Sequence, residues 1–223
     1  MTQLLISVTS VAEAQIAIEN GTDIIDLKDP AAGALGALSL SQIEAVIDYV
    51  NGQKLVSATI GDVPMQPDLI FDCVTKLVST NVDFIKIGFF QTDNYQPTLD
   101  KLKTITAKGV KLIAVLFAEY EYPDTLIKAV KQAGFNGVML DTAQKDGNTY
   151  MYYRSAVNCK EFAKKALELD MSFGLAGSLQ LQHVVAAKEL NPTYIGFRGG
   201  ACDENKREFG LNSDKIRAIR KAL

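Results

Sequence analysis

Two lysines, Lys28 and Lys86, two aspartates, Asp26 and Asp141, and one arginine, Arg198, each stand at or next to the end of a short apolar run. Amines beside carboxylates suit carbonyl chemistry. A neutral lysine adds to a carbonyl to form an imine, while a second lysine and a carboxylate move protons on and off carbon and oxygen. Neutrality is the difficulty near pH 7. Two ammonium groups about 6 Å apart at an effective dielectric near 20 repel by roughly 3 kcal/mol, equivalent to a drop of about two in the pKa of one of them. The alternative is structural, because buried lysines are commonly paired: Asp26 with Lys28, or Asp141 with Lys86. Two further stretches, Ala176-Gly177-Ser178 and Arg198-Gly199-Gly200-Ala201, combine small residues, exposed backbone N–H groups and a guanidinium. They point to a phosphate site made of Gly177, Ser178, Arg198, Gly199 and Gly200.

These residues need a scaffold that gathers them, and the chain supplies one. Strand-like runs at 4–8, 23–28, 54–60, 83–88, 110–118, 137–141, 172–176 and 194–198 alternate with helix-period segments. The spacing is about 28 residues, the size of a βα unit, and the absence of hairpin turns implies a parallel sheet. Eight such units predict an α/β fold, a (βα)8 TIM barrel formed by residues 1–223 as one catalytic domain. Ser10, Ser39 and Ser213 are expected N-caps, and Asn20-Gly21, Asn51-Gly52, Lys108-Gly109 and Ala133-Gly134 are expected helix ends. Alternate strand residues face opposite ways. Ile25, Leu27, Val56, Ala58, Ile60, Ile85, Ile87, Val138, Leu140, Ile195 and Phe197 are then directed toward the helices. Asp26, Lys28, Ser57, Thr59, Lys86, Asp141 and Arg198 are directed into the lumen. In this fold chemistry sits at the C-terminal strand ends, where these charges fall. The stretch 29–37 after the second strand is long for such a turn and suits a second phosphate cradle or a flap over the mouth.

Composition narrows the function classes. With 48% hydrophobic and 22% charged residues the chain can bury a core, and a formal charge of −3 gives no positive field for nucleic acid. No apolar run approaches the ~18 residues that span a bilayer, and the N-terminus has no basic residues before its apolar stretch; a cytoplasmic, membrane-free protein is expected. Cys73, Cys159 and Cys202 are scattered and the one histidine, His183, falls in an amphipathic stretch read as helix. Neither a disulfide framework, a metal site nor a Ser-His-Asp arrangement is expected, and no G-x-G-x-x-G follows a strand, so no nicotinamide or flavin is called for. The sequence leaves oligomeric state open.

Several motifs are recognisable in order along the chain: Asp26-Leu27-Lys28-Asp29-Pro30 with Gly33-Ala34-Leu35-Gly36-Ala37, Ser57-Ala58-Thr59-Ile60-Gly61-Asp62-Val63-Pro64, Phe84-Ile85-Lys86-Ile87-Gly88, Met139-Leu140-Asp141-Thr142-Ala143-Gln144-Lys145-Asp146-Gly147, Leu175-Ala176-Gly177-Ser178, and Gly196-Phe197-Arg198-Gly199-Gly200-Ala201-Cys202. Together they resemble the (5-formylfuran-3-yl)methyl phosphate synthase family. The chain departs from that pattern around the fifth strand and over 200–201 and 203–209. The resemblance implies a TIM-barrel lyase that joins two molecules of glyceraldehyde 3-phosphate into a phosphorylated furan aldehyde, a methanofuran precursor used in one-carbon metabolism. By the same resemblance Lys28 is the Schiff-base lysine, Lys86 the proton-transferring lysine, and Asp26, Asp141 and Lys145 further active-site residues; the small-molecule partner is a triose phosphate. The alternatives are a Schiff-base aldolase acting on another phosphorylated sugar, and a non-catalytic barrel that binds phosphorylated metabolites.

Overall fold

Short period-two apolar runs alternate with helix-period stretches from one end of the chain to the other, and in the computed structural model, which describes residues 1–223, that alternation closes into a barrel. In order the elements are β1 (Gln3–Val8), α1 (Val11–Glu19), β2 (Ile24–Leu27), α2 (Leu40–Val50), β3 (Leu55–Thr59), α3 (Pro67–Val78), β4 (Phe84–Gly88), α4 (Gln96–Thr106), β5 (Leu112–Phe117), α5 (Leu126–Gln132), β6 (Gly137–Asp141), α6 (Tyr150–Tyr153), α7 (Ala156–Glu168), β7 (Ser172–Leu175), α8 (Val184–Lys188), β8 (Tyr194–Phe197) and α9 (Ser213–Ala222). Each strand pairs in parallel with its sequence neighbours, and β1 pairs with β8 to close the ring. The expected (βα)8 barrel is the observed one.

Burial follows strand parity. Ile25, Leu27, Val56, Ala58, Ile85, Ile87, Val138, Leu140, Ile195 and Phe197 belong to the large apolar layer between strands and helices. A second, smaller cluster that includes Leu5, Ile24, Ile113, Val115, Phe117, Met139 and Tyr194 fills the lumen. The Tyr194 ring lies across Gly174, its register partner on β7, where a Cβ would overlap the ring.

The helix ends obey local chemistry. Ser10 and Ser39 cap α1 and α2, the second as a reciprocal box with Gln42. Gly21, Gly52, Gly109 and Gly134 all have positive φ, at four of the seven turns that carry the chain from helix to strand. Two expectations change. The cap of α9 is Asn212, whose side chain accepts from Lys215 N–H at 3.1 Å, and Ser213 is the first helical residue. His183 ends a 3-10 turn before α8, and its Nδ1 accepts the Gln180 N–H at 3.0 Å, a structural use of the ring.

Candidate active site

Because β2, β3 and β4 are in parallel register, side chains at one level point the same way, and this assembles the floor of the site. Ser7, Asp26 and Ser57 are neighbours across β1, β2 and β3. The Asp26 carboxylate accepts the Ser7 hydroxyl at 2.8 Å and the Ser57 hydroxyl at 2.7 Å. Lys86, two strands away on β4, reaches across the lumen to Asp26 with Nζ–Oδ1 at 2.6 Å. Burial alone would raise the Asp26 pKa, but the Lys86 and Lys28 charges and these hydrogen bonds hold it below the ordinary carboxylate value. Asp26 is an anion held by three donors, and it orients Lys86.

The opposite wall is built on β6. Asp141 ends that strand, accepts the backbone N–H of Thr142 at 2.7 Å and pairs with Lys145 at 3.0 Å. Although burial works against it, the Lys145 and Lys28 charges bring its pKa down to about 2. Lys145 also donates to the Thr142 carbonyl, so the turn after β6 wraps around its own lysine. Glu119 fixes the same turn from the β5 side by accepting from Ala143 and Gln144 N–H.

Lys28 lies between these two pairs with no carboxylate or hydrogen-bond acceptor in reach, only 7% exposed. Its pKa is lowered to about 8, first by burial, with Lys145 and Lys86 also lowering it and Asp141 and Asp26 pulling it upward. Repulsion between the lysines, expected from the sequence to come first, is secondary to burial. The structural ion pairs expected there, Asp26 with Lys28 or Asp141 with Lys86, are replaced by Asp26 with Lys86 and Asp141 with Lys145. That exchange leaves Lys28 as the one amine of the three that is buried, unpaired and partly neutral near pH 7.

All of this opens into a cavity of about 770 Å³ at the C-terminal end of the strands. Its β7 and β8 side is a rim of backbone. Residues 177–179, 199 and 200 line the cavity, and their N–H groups donate to no protein acceptor. Gly177 has φ +94, and a Cβ there would press on Thr142. Such uncommitted amides beside a positive interior suit an anionic oxygen cluster.

Arg198 does not join them as a phosphate ligand. Its Nε donates to the Arg207 carbonyl at 2.7 Å, Nη1 to the Ser7 carbonyl and Glu13, and Nη2 to Glu13 and the Phe209 carbonyl. A guanidinium has five N–H donors, and all five are spent. The expectation that Arg198 grips phosphate is therefore corrected: it ties the loop after β8 to β1 and α1. Arg198→Ala leaves the Glu13 carboxylate, mostly buried, without its partner, so it should lower stability by roughly 3 kcal/mol in urea unfolding. Arg198→Lys should not restore it, since one ammonium cannot replace the fork. An unchanged unfolding midpoint in Arg198→Ala would return the residue to ligand duty.

Sequence reasoning missed three residues that shape the mouth. Glu13, three residues after the Ser10 cap and so in the first turn of α1, is the Arg198 partner. Asp62 accepts the Ala34 and Leu35 N–H groups at 2.7 Å each and pins the loop after β2. Arg207 crosses the mouth to donate to the Gly33 carbonyl. Only Asp62 stood within a motif already singled out.

Comparison with known proteins decides the lineage. A family model described as 4-HFC-P synthase matches residues 4–220. The chain belongs to that family. A (5-formylfuran-3-yl)methyl phosphate synthase of Methanococcus maripaludis is 36% identical, with 97% of each chain covered. The enzyme of that name from Methanocaldococcus jannaschii is 34% identical over 93% of each chain. A relative from Methylorubrum extorquens, named a putative (5-formylfuran-3-yl)methyl phosphate synthase, is also 34% identical, covering 96% of this chain and 88% of that one. Among solved structures, phosphoribosyl anthranilate isomerase from Thermus thermophilus superposes with a TM-score of 0.71 at 13% identity, covering 100% of this chain and 98% of that one. The 3-hexulose-6-phosphate synthase of Salmonella typhimurium gives 0.66 at 14% identity over the same shares. At those identities the structures attest the barrel alone. In this member of the family, the unpaired buried Lys28 just past the end of β2 is the feature that calls for a chemical role.

Proposed function

We propose that this chain condenses two molecules of glyceraldehyde 3-phosphate into (5-formylfuran-3-yl)methyl phosphate through an imine on Lys28. The observation that carries the reading is the contrast among three lysines in one lumen: Lys86 and Lys145 are held by carboxylates, and Lys28 is held by none. The family supports the product, since the names of the relatives specify it.

The atoms balance without a redox partner. Two triose phosphates lose one phosphoric acid and two waters to give the furan phosphate. Lys28 adds to one carbonyl and expels water. The second triose loses its phosphate by elimination across C2 and C3, leaving 2-hydroxyacrolein. Loss of a proton from the carbon next to the imine gives an enamine, which adds to the methylene carbon of that acrolein, so the second aldehyde is kept as the formyl group. The hydroxyl left on the second triose then adds to the imine carbon to close the ring, and loss of one water and of the Lys28 amine completes the furan. Lys86, aimed by Asp26, is placed to move protons at the reacting carbons, and Asp141 with Lys145 flanks Lys28 from the other side. The free amides of residues 177–179, 199 and 200 hold the phosphate that is retained.

Incubation of the protein with glyceraldehyde 3-phosphate should produce furan absorbance and release one inorganic phosphate for every two triose phosphates consumed. A borohydride-trapped imine with no furan would overturn this reading in favour of an aldolase on another phosphorylated sugar. Binding of phosphorylated compounds with neither imine nor furan would leave a non-catalytic barrel.

A further inference from the structure

Six cationic side chains line the mouth cavity: Lys28, Lys86, Lys145, Arg198, Lys206 and Arg207. Four are neutralised by a carboxylate within ion-pair distance, Lys86 by Asp26, Lys145 by Asp141, Arg198 by Glu13 and Lys206 by Glu204. Two are not. One is Lys28, whose lack of a partner suits a nucleophile. The other is Arg207, which a nucleophilic role cannot explain because a guanidinium stays protonated.

From its placement we infer that Arg207 is the side-chain grip for a second phosphate at the mouth, on the side of the loop after β2 that its guanidinium reaches at Gly33. The loop after β8 is built to present it. Arg198, itself anchored on Glu13 and Ser7, accepts no ligand but holds the carbonyls of Arg207 and Phe209 on either side of the turn. An antiparallel bridge between Cys202 and Leu211 closes the base of the same loop. The half-buried Arg207 side chain then spans to the loop after β2, where one N–H of Nη2 donates to the Gly33 carbonyl at 2.6 Å. That is its only protein acceptor, so most of the planar fork remains for an oxyanion, and a guanidinium fork matches phosphate oxygens two at a time. The Gly33 end is fixed by Asp62, whose carboxylate takes the next two N–H groups, so the acceptor that positions the guanidinium is itself held.

The inference rests on the proposed function in one respect: a condensation of two triose phosphates brings two phosphates into one mouth, and the amide rim accounts for one of them. Phosphate elimination then gives Arg207 a leaving group to stabilise as negative charge builds on it.

Glycerol 3-phosphate, which has no carbonyl and forms no imine, is the probe. Calorimetric titration of the wild-type protein should show two molecules bound per chain. In Arg207→Gln, which keeps a side chain of similar reach, one of the two should weaken by at least tenfold or vanish, and Arg207→Lys, with charge but no fork, should fall between. In turnover, Arg207→Gln should raise the apparent KM for glyceraldehyde 3-phosphate while borohydride still labels Lys28 with a single triose. Urea unfolding midpoints show that each variant is folded, and Arg207→Lys carries the test if Arg207→Gln is not. One site in the wild type, or unchanged stoichiometry and affinity in the folded variants, would overturn the second subsite. The two readings fail separately. Furan formation with no effect at Arg207 removes the subsite and leaves the reaction, whereas loss of one glycerol 3-phosphate site in a protein that makes no furan removes the reaction and leaves the subsite.

Discussion

Lys28→Ala should abolish furan formation, a loss of at least about 10⁴-fold, and should eliminate borohydride-dependent attachment of a triose-derived mass. The wild-type protein should carry that mass on Lys28. The expectation follows from the environment of the amine. Burial brings its pKa to about 8 and no carboxylate stands close enough to lock the proton in place. About one molecule in ten then has a neutral Lys28 at pH 7 and about nine in ten at pH 9, so the trapping rate should climb through pH 8. The same burial has a cost to the fold. A pKa of about 8 in place of 10.5 means that the unfolded chain holds the proton more tightly; wild-type stability should rise with pH between about 8 and 10.5, and below that window the penalty is of order 3 kcal/mol. Lys28→Met, inactive, should therefore unfold at higher urea than the wild type at pH 7 and lose that pH dependence. Full turnover with an unmodified Lys28, or a Lys28→Ala protein that still makes furan, would end the Schiff-base assignment.

Lys86→Ala should behave differently: the imine still forms at Lys28, but proton transfer stalls and the rate falls by about 10²- to 10⁴-fold. The substitution removes a positive charge near Lys28 and leaves Asp26, fully buried, as a carboxylate held only by Ser7 and Ser57. Both changes favour the protonated form of Lys28, so the pH at which trapping reaches half its maximum should move upward from about 8. Orphaning the carboxylate should also cost roughly 3 kcal/mol of stability. The double variant Asp26→Asn with Lys86→Ala separates the two effects, since it should recover much of the stability and none of the rate. If borohydride traps substrate on Lys86 in the Lys28→Ala protein as efficiently as on Lys28 in the wild type, the two lysines have each other's roles.

Much of this site is written locally in the chain. The parity of Asp26, Lys28, Ser57, Lys86 and Asp141 against Ile25, Leu27, Ile85, Ile87 and Leu140 assigns one set to the lumen and the other to the helix layer. Positive-φ glycines after the helices set the βα repeat, and eight repeats of that size close a barrel. These are properties of one to four neighbouring residues, and a side-chain period of two or a left-handed turn needs no information from elsewhere.

Partner choice is another matter. Lys86 pairs with Asp26 rather than Asp141, Lys145 takes Asp141, and Arg198 takes Glu13 from the far end of the chain. Sequence parity places all of these charges at one mouth but cannot rank their distances, because those depend on the stagger between strands and on the path of the loop after β8. For the same reason Arg198, beside two glycines, reads as the phosphate ligand, while Arg207, in a stretch that departs from the family pattern, gives no local signal. The residue types and the strand ends were determined by the sequence itself. Which amine is left unpaired, and which guanidinium is left free, was decided only when the barrel closed and brought Asp26 within 2.6 Å of Lys86 and Glu13 within 2.6 Å of Arg198.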